Sequence, residues 1–165
     1  MRAVAQRVRS AGVSVEGRAV AAIGPGLCAY VGVGVGDGPE DTRHLADRLA
    51  HLRIFPRPGG PRGRMAVSLL ESGGALLLVP QFTLYADLRH GRRPDFTGAE
   101  EPARARVLLA DLAAALRGLG VAVGEGVFGA DMEVTASVDG PVTILLDSRG
   151  GGSGGRARLG DPAPV

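Results

Sequence analysis

The residues best suited to chemistry lie at two places where apolar runs of this sequence give way to polar residues. The first is Gln81-Phe82-Thr83-Leu84, which follows an apolar run at residues 75–79 with the pattern of a buried strand. The second is Asp139-Gly140-Pro141, whose turn-forming residues separate two short runs typical of strands. Because binding and catalytic residues are often placed where a rigid scaffold ends, both segments are candidates for a functional site.

The sequence contains none of the usual catalytic or metal-binding patterns. HExxH and CxxC spacings do not occur, and His44 and His51 lie seven residues apart on or beside the first predicted helix. His44 and His51 are therefore predicted to be surface or packing residues, and His90 to be a phosphate or solvent contact. Cys28 is predicted to be a small apolar residue of a buried strand. We accordingly expect no metal ion and no other cofactor.

The composition indicates one folded domain and a tail. All basic residues are Arg, Asn is absent, and Ala, Gly, Val and Pro are abundant, as in a GC-rich coding sequence. The arginine content and a net charge of +2 are therefore weak arguments for RNA binding. The absence of Lys excludes a Walker-type phosphate loop. We expect a single domain over residues 1–148 and a disordered tail, rich in Gly and Pro, over residues 149–165.

Neither a membrane anchor nor a secretory leader is predicted. No apolar run reaches the length that crosses a bilayer, and the first residues lack a hydrophobic leader segment. These residues are rich in Arg, as transit peptides are, but residues 3–8 alternate as in a strand. A single cysteine cannot form an internal disulfide, which suits a reducing compartment. The sequence therefore favours a cytoplasmic protein.

Hydrophobic periodicity predicts the elements that position these residues. Amphipathic helices are predicted over residues 39–52 and 101–119, each with capping residues at its ends. Strands are predicted over residues 2–8, 12–23, 26–35, 75–80, 121–127, 132–138 and 142–147. Strands outnumber helices, and hairpin-like neighbours recur. We therefore predict an α/β (α+β) fold, in which a mixed, largely antiparallel curved sheet or partial barrel has two main helices packed outside.

Five collinear segments of the sequence resemble those of one known family, the D-aminoacyl-tRNA deacylases (DTD family). The resemblance covers roughly residues 1–148. A single tetrapeptide would be a weak signal, whereas five segments in the same order and approximate spacing are a strong one. The segments are Gln6-Arg7-Val8 with Ser14-Val15, Gln81-Phe82-Thr83-Leu84, Gly91-Arg92-Arg93-Pro94, Gly126-Val127-Phe128-Gly129-Ala130-Asp131-Met132 and Asp139-Gly140-Pro141-Val142-Thr143.

The resemblance implies a chirality proofreading enzyme of translation. Members of the family hydrolyse the ester of D-aminoacyl-tRNA, and glycine mischarged on tRNA is a further expected substrate. Water would be the nucleophile, helped by the neighbouring ribose 2′-hydroxyl. The backbone N–H groups of Phe82 and Thr83 would stabilise the oxyanion. The Thr83 hydroxyl would either orient the water or matter for shape, and Gln81 would support it.

The family also assigns roles to residues far along the chain. It uses a cis Gly140-Pro141 pair that is inserted into the site of a second subunit, where it leaves no room for an L side chain. This implies a homodimer with cross-subunit active sites. Phe128 and Met132 would line a pocket for the terminal adenosine, although a plain core role is an equal alternative. The tRNA phosphates would contact Arg89, Arg92 and Arg93, and a solvated loop is the alternative there.

The residues between 26 and 36 have one apolar face and one nearly bare face, because Gly32, Gly34 and Gly36 alternate with larger residues. A bare strand face implies the close approach of another group. The resemblance suggests a packed sheet or the second subunit as that group, and a ligand is a further alternative.

Two positions depart from the family. Pro80 stands where the family usually has Ser, and Val138 where it usually has Asn. An animal branch of the family that edits L-alanine mischarged on tRNA also has Pro at the first position. Two alternatives therefore stay open: an editor with relaxed chirality that acts on L-alanyl-tRNA, and a catalytically weak tRNA-binding dimer. Because Phe82 and the Asp139-Gly140-Pro141 segment keep the main pattern, we expect a cis Gly140-Pro141 bond and rejection of L-aminoacyl-tRNA.

Overall fold

A computed structural model gives the structure of the protein and describes residues 1–57, 59–61 and 65–150. The predicted tail therefore lies outside the described residues from residue 151 onward. The elements in chain order are β1 (Arg2–Val15), β2 (Arg18–Ile23), β3 (Gly26–Gly32), α1 (Pro39–His51), α2 (Leu69–Ser72), β4 (Ala75–Pro80), a 3₁₀ turn (Phe82–Tyr85), α3 (Pro102–Gly118), β5 (Ala122–Glu125) and β6 (Glu133–Asp147).

The six strands form one mixed sheet. β1 pairs antiparallel with β2, β3 and β6, whereas β3 pairs parallel with β4 and β4 with β5. The two ends of the strand path, β2 and β5, approach each other, since a Cβ atom at Gly124 would lie 3.5 Å from the side chains of Ala21 and Ile23. The sheet thus curls into a nearly closed barrel, and the predicted mixed, curved sheet is confirmed.

The two main helices were predicted to within a residue or two. Both begin with Pro in the first turn, and the Glu101 carboxylate accepts hydrogen bonds from the first N–H groups of α3. Their apolar faces pack on the outside of the sheet, where Leu49 and Leu112 are fully buried. A second apolar cluster fills the barrel and contains Cys28, whose thiol pKa is raised by burial. The structural interpretation of this cysteine is confirmed.

The first hairpin differs from the predicted elements. The predicted strand over residues 12–23 is interrupted by a tight turn at Glu16 and Gly17, whose φ angles are 50° and 74°. Positive φ at both central residues gives the turn the twist that joins two antiparallel strands. β1 consequently continues to Val15, beyond the predicted end at residue 8. The hairpin was not predicted, because Glu at the first turn position does not signal one.

The Asp139-Gly140-Pro141 segment does not separate two strands as predicted. Instead, β6 runs without a break from Glu133 to Asp147 and pairs with β1 on both sides of the segment. The pairing register shifts on either side of Val8, so the extra residues form a bulge within the strand. We call residues 139–141 the bulge. Turn-forming residues here redirect a strand rather than end it.

The last contacts of the described chain extend past the predicted domain end at residue 148. The Arg149 guanidinium lies 3.1 Å from the buried Asp37 carboxylate and 3.4 Å from that of Asp41. Arg149 thus contacts the folded domain, and the boundary between domain and tail stays a prediction. No helix in the described ranges is both long and apolar enough to cross a membrane.

Candidate active site

The chain leaves the sheet at Pro80 and forms a tight turn over residues 81–85, which we call the 81–85 turn. It begins with a 2.8 Å hydrogen bond from the Gln81 N–H to the Val31 carbonyl on the neighbouring strand. It ends with a 3.1 Å hydrogen bond from the Ala86 N–H to the Thr83 carbonyl. The first N–H groups of a helical turn have no acceptor within it. For Phe82 and Thr83, no other acceptor lies among the described residues, so two adjacent donors remain available.

A cavity of about 680 Å³ lies beside this turn, within the usual size range of small-molecule sites. Gln81 and Phe82 form one wall, and α3 supplies another. Phe128 and Met132 line the cavity from the segment that connects β5 to β6. Four of the residues predicted for the site are therefore brought together around one cavity. Its remaining lining residues are Val31, Gly32, Val33, Val79, Pro80, Phe96, Ala99, Glu100, Glu101, Pro102, Ala105, Leu109, Gly129, Ala130, Asp131 and Val134.

Two aromatic side chains define the shape of the cavity. The Phe82 ring is 58% exposed and packs edge-on against Phe96, with 5.0 Å between the ring centroids. The Phe128 ring is covered by the Arg106 guanidinium at 5.1 Å from its centroid. A smaller cavity of about 190 Å³ adjoins it and shares Pro80 and Phe128 as lining residues. The departure at Pro80 is therefore part of the cavity wall.

Gln81 and Thr83 interact directly. The Gln81 side-chain amide donates a hydrogen bond to the Thr83 hydroxyl. Thr83 itself is exposed and is not among the residues that line the cavity. The Gln81 amide thus fixes the orientation of the Thr83 hydroxyl, next in sequence to Phe82, which does line the cavity.

The bulge lies elsewhere on the molecule. The Gly140-Pro141 peptide bond is cis, as expected. Gly140 and Pro141 are exposed, and neither lines the cavity beside the turn. Asp139 anchors the bulge to β1, since its carboxylate lies 3.0 Å from Arg7 Nε and 3.2 Å from Arg9 Nη2. Within a single chain, the predicted selectivity residues and the predicted oxyanion residues are not brought together.

Arg7 is the principal support of the bulge. Its side chain is 6% exposed and also donates a hydrogen bond to the Ile54 carbonyl. The contact between Arg7 Nε and Asp139 is close, but its angle is not that of a hydrogen bond. We therefore describe this contact as an ion pair. Arg9 contacts the same carboxylate from solvent and is 68% exposed.

The basic loop contains one arginine that is already bonded and two that face solvent. The Arg89 guanidinium bonds the Asp87 carboxylate at 2.6 Å, and this bonding holds the pKa of Asp87 at about 2. Arg92 and Arg93 are exposed, and no carboxylate of the described chain lies within ion-pair distance of them. Of the three predicted phosphate contacts, only Arg89 has an ion-pair partner among the described residues.

The bare glycine face is filled by a residue that the sequence analysis did not single out. A Cβ atom at Gly34 would lie 2.5 Å from Cε1 of Tyr85, and one at Gly32 would lie 2.7 Å from the Gln81 carbonyl oxygen. At Gly32 and Gly34 the approaching group is therefore the 81–85 turn of the same chain and not a packed sheet. A second subunit or a ligand at the rest of this face stays a prediction. An aromatic residue shortly after a strand, with glycines on the neighbouring strand, was the available signal.

None of the three histidines lines the cavity. His44, His51 and His90 are all exposed, and His51 contacts Asp47 one helical turn away. Among the residues that the structure describes, no three His, Cys, Asp or Glu side chains are grouped as metal ligands would be.

Comparison with known proteins identifies the family. The model of the D-Tyr-tRNA(Tyr) deacylase family matches residues 4–147, and the chain belongs to this family. A D-aminoacyl-tRNA deacylase of Roseiflexus castenholzii is 53% identical over 148 residues, which cover 90% of this chain and 92% of the relative. That of Heliobacterium modesticaldum is 50% identical over 153 residues, covering 93% of this chain and all of the relative.

Two solved structures resemble this chain over most of its length. A c-Myc DNA Unwinding Element Binding Protein has a TM-score of 0.82 and 33% identity, with 89% of this chain and 98% of that chain covered. A probable eukaryotic D-amino acid tRNA deacylase has a TM-score of 0.74 and 20% identity, with 88% and 97% covered. The second likeness shows the shared fold.

Proposed function

We propose that the protein hydrolyses the ester bond between a D-amino acid and tRNA, and that it also removes glycine from a wrong tRNA. The products are free tRNA and the free amino acid, so the reaction removes substrates that translation must not use. The observation that carries the proposal is the pair of unbonded N–H groups at Phe82 and Thr83, beside a cavity in a chain of this family. The relatives described above, named D-aminoacyl-tRNA deacylases, favour this activity over its alternatives.

The two N–H groups supply the electrostatic part of catalysis. A water molecule attacks the ester carbonyl carbon, and the carbonyl oxygen becomes an oxyanion that accepts hydrogen bonds from Phe82 and Thr83. The bond to the ribose 3′ oxygen then breaks, and the proton lost by water passes to that oxygen, with the 2′-hydroxyl as its nearest relay. One such donor is typically worth about 10² to 10³ in rate. An ester is activated enough that no Ser-His-Asp arrangement is required.

The cavity suits the terminal adenosine. Phe128 offers a ring for the base to stack on, a contact worth about 1 to 3 kcal/mol in nucleic-acid complexes, and Met132 can adapt to the edge of the base. Gln81 holds the Thr83 hydroxyl by a hydrogen bond, and we assign this hydroxyl to orienting the attacking water. We assign Arg92 and Arg93 to the acceptor-stem phosphates, with Arg89 as a weaker contributor because it already bonds Asp87.

Chirality is assigned to the bulge of a second subunit. Gly140 and Pro141 are exposed on β6, which pairs only with β1 among the described strands. A homodimer that brings this surface to the partner's cavity would complete each site with main-chain atoms. Gly140 has no Cβ, so the backbone can approach the substrate closely. An L side chain would meet this backbone wall, whereas a D side chain would point away from it.

Hydrolysis of matched substrates tests the proposed function. Purified protein is incubated with D-tyrosyl-tRNA and L-tyrosyl-tRNA, and then with the D- and L-alanyl pair, in the presence and absence of EDTA. We expect hydrolysis of both D substrates, little of either L substrate, and no effect of the chelator. Comparable hydrolysis of L- and D-alanyl-tRNA would instead support the relaxed editor, and binding without turnover would support the tRNA-binding dimer. Zinc-restored activity after chelation would contradict metal independence.

Sedimentation measured together with activity tests the assembly. We expect the active species to be a dimer at the protein concentration of the assay. A fully active monomer would contradict the assignment of the bulge to a partner's site, while leaving the hydrolytic activity itself intact.

A further inference from the structure

The 81–85 turn is fixed to the sheet at both ends. At its start, the Gln81 N–H is bonded to the Val31 carbonyl, and the Gln81 carbonyl oxygen lies over Gly32. At its end, the Tyr85 ring lies over Gly34. Phe82 and Thr83, which carry the available N–H groups, lie between these two attachments. The direction in which the N–H groups point is therefore set by how the ends are held.

The Tyr85 ring packs so closely on Gly34 that a larger residue at this position would have to displace the ring. A Cβ atom at Gly34 would lie 2.5 to 2.7 Å from Cε1, Cζ and the hydroxyl oxygen of Tyr85, and one at Gly32 would lie 3.1 Å from Cδ2. Real Cβ atoms do not approach ring atoms as closely as 2.5 Å, so a side chain at residue 34 would displace the ring. Gly34 does not have a positive φ, and contact with Tyr85 is the reason that the structure gives for a glycine there.

Other groups hold the ring in this seat. The Arg2 guanidinium covers it at 4.6 Å from the centroid and donates a 3.3 Å hydrogen bond to the Leu84 carbonyl of the same turn. The Tyr85 hydroxyl donates to Asp37 at 3.3 Å, a long hydrogen bond. Asp37 is itself fixed, because it accepts from the Gly34 N–H at 2.6 Å and pairs with the Met1 amino group at 2.7 Å. These contacts therefore hold the aromatic ring more firmly than the hydroxyl group.

We infer that Tyr85 is a positioning residue for hydrolysis: its ring, seated on Gly32 and Gly34, holds the Phe82 and Thr83 N–H groups in the orientation that stabilises the oxyanion. This inference rests on the proposed function. Tyr85 does not line the cavity, so its effect on the reaction passes through the backbone of the turn. Displacement of reacting groups by about 1 Å can cost about 10²-fold in rate, which makes the seat of the ring a determinant of activity.

A double-mutant cycle tests the inference. The variants are Gly34→Ala, Tyr85→Ala and the two combined. Gly12→Ala is the matched control, because it is a strand glycine whose added Cβ atom would have no contact shorter than 3.5 Å. For each, kcat and KM are measured on D-aminoacyl-tRNA. Amide signals of Phe82 and Thr83 are followed by NMR as a readout that does not depend on activity.

Each single variant is expected to lower kcat by about 10- to 100-fold with little change in KM, because the lost interaction is made in the transition state. The double variant should be no slower than Tyr85→Ala alone, since the new methyl group then has no ring to displace. Tyr85→Phe keeps the ring and should recover most of the kcat that Tyr85→Ala loses. The Phe82 and Thr83 amide signals should shift in both single variants and stay in place in Gly12→Ala.

Several results would overturn the inference. These are effects of Gly34→Ala and Tyr85→Ala that multiply in the double variant, a loss confined to KM, or Tyr85→Ala with the kcat of the unmodified protein. If Tyr85→Ala does not fold, Gly34→Ala with unchanged kcat and unchanged amide signals would suffice to reject it. If the unmodified protein hydrolyses no aminoacyl-tRNA, the proposed function is refuted. If it does hydrolyse the substrate but the effects of Gly34→Ala and Tyr85→Ala multiply in the double variant, only the positioning role is refuted.

Discussion

The 81–85 turn and the bulge at residues 139–141 are both irregular segments at strands of one sheet, but they are held in opposite ways. The turn is fixed by close packing of the Gln81 carbonyl on Gly32 and of the Tyr85 ring on Gly34, and it lies beside a cavity. The bulge is held by one carboxylate, Asp139, and its Gly140 and Pro141 are exposed, away from that cavity.

This difference distinguishes the two parts of the proposed site. The turn has two available N–H donors, an apolar cavity beside it and close support from the sheet. The bulge has a shaped backbone, and its residues line neither of the two cavities described above. The role proposed for the turn depends on contacts within the chain, whereas the role proposed for the bulge depends on a second subunit.

The largest effect on the free energy of unfolding is expected at Arg7, which supports the bulge. Arg7→Ala leaves the Asp139 carboxylate without its buried partner and removes the donor to the Ile54 carbonyl, which should lower the free energy of unfolding by about 3 kcal/mol. Arg9→Ala removes an exposed partner of the same carboxylate and should cost less than about 1 kcal/mol. Urea denaturation of both variants measures the difference. Equal costs would show that burial does not decide the strength of this anchor.

In the turn, the backbone should matter more than the side chain. Replacing the Thr83 amide with an ester by semisynthesis removes one donor and should slow hydrolysis by about 10² to 10³. Thr83→Val removes only the hydroxyl and should cost less than about tenfold, because the backbone donors are expected to stabilise the oxyanion. Single-turnover rates on D-aminoacyl-tRNA give both values. If Thr83→Val abolishes turnover while folding and tRNA binding persist, the hydroxyl has a direct catalytic role.

How the tRNA reaches the turn can be measured through the basic loop. The double variant Arg92→Ala/Arg93→Ala should lower the salt dependence of tRNA binding by a slope of about 1.5, because each phosphate contact contributes about 0.7 to 0.9. Arg89→Ala should change it less, since Arg89 is already bonded to Asp87. The control is a double Ala substitution of Arg43 and Arg48, which are exposed on α1. Equal slopes in all three would remove the loop from the tRNA contact surface.

The smallest effect concerns the stability of the fold at acid pH, to which the Asp41 carboxylate of α1 contributes. Burial alone would raise the pKa of Asp41, but hydrogen bonds from the Ser148 hydroxyl and the Gly38 N–H hold the pKa at about 2. The folded pKa lies below the ordinary 3.8, so this carboxylate stabilises the fold above about pH 4 and loses that effect as the pH falls towards 2. Between about pH 4 and pH 2, the free energy of unfolding should therefore fall by about 1 to 2 kcal/mol less in Asp41→Asn than in the unmodified protein. An unchanged limb would contradict the prediction.

The main features of the fold could be predicted because they are local. The helices at residues 39–52 and 101–119 follow from periodicity and capping, and the buried strand β4 from an apolar run. The hairpin at Glu16 and Gly17 was missed because its first turn residue is not one that usually adopts positive φ. The continuity of β6 was missed because a bulge and a hairpin use the same turn-forming residues, and only the pairing with β1 distinguishes them.

The site was predicted in its parts and not in its arrangement. The segments that contain Phe82 and Phe128 do line one cavity, and the motifs indicated both. The seat of Tyr85 on Gly34 joins residues far apart in sequence, and no local pattern reports such a contact. The bare glycine face was noticed, but its partner could not be chosen, because periodicity tells which face is empty and not what fills it.

Burial of Cys28 has a practical consequence for measuring how this protein opens. It is the only thiol in the sequence, it is fully buried in the barrel, and burial raises its thiol pKa. A thiol-specific dye in excess can therefore react only after β3 separates from its neighbours. Because β3 also carries Gly32, the rate of dye incorporation reports opening of the strand on which the 81–85 turn rests. The unmodified chain thus contains its own single-site probe, with no engineered label required.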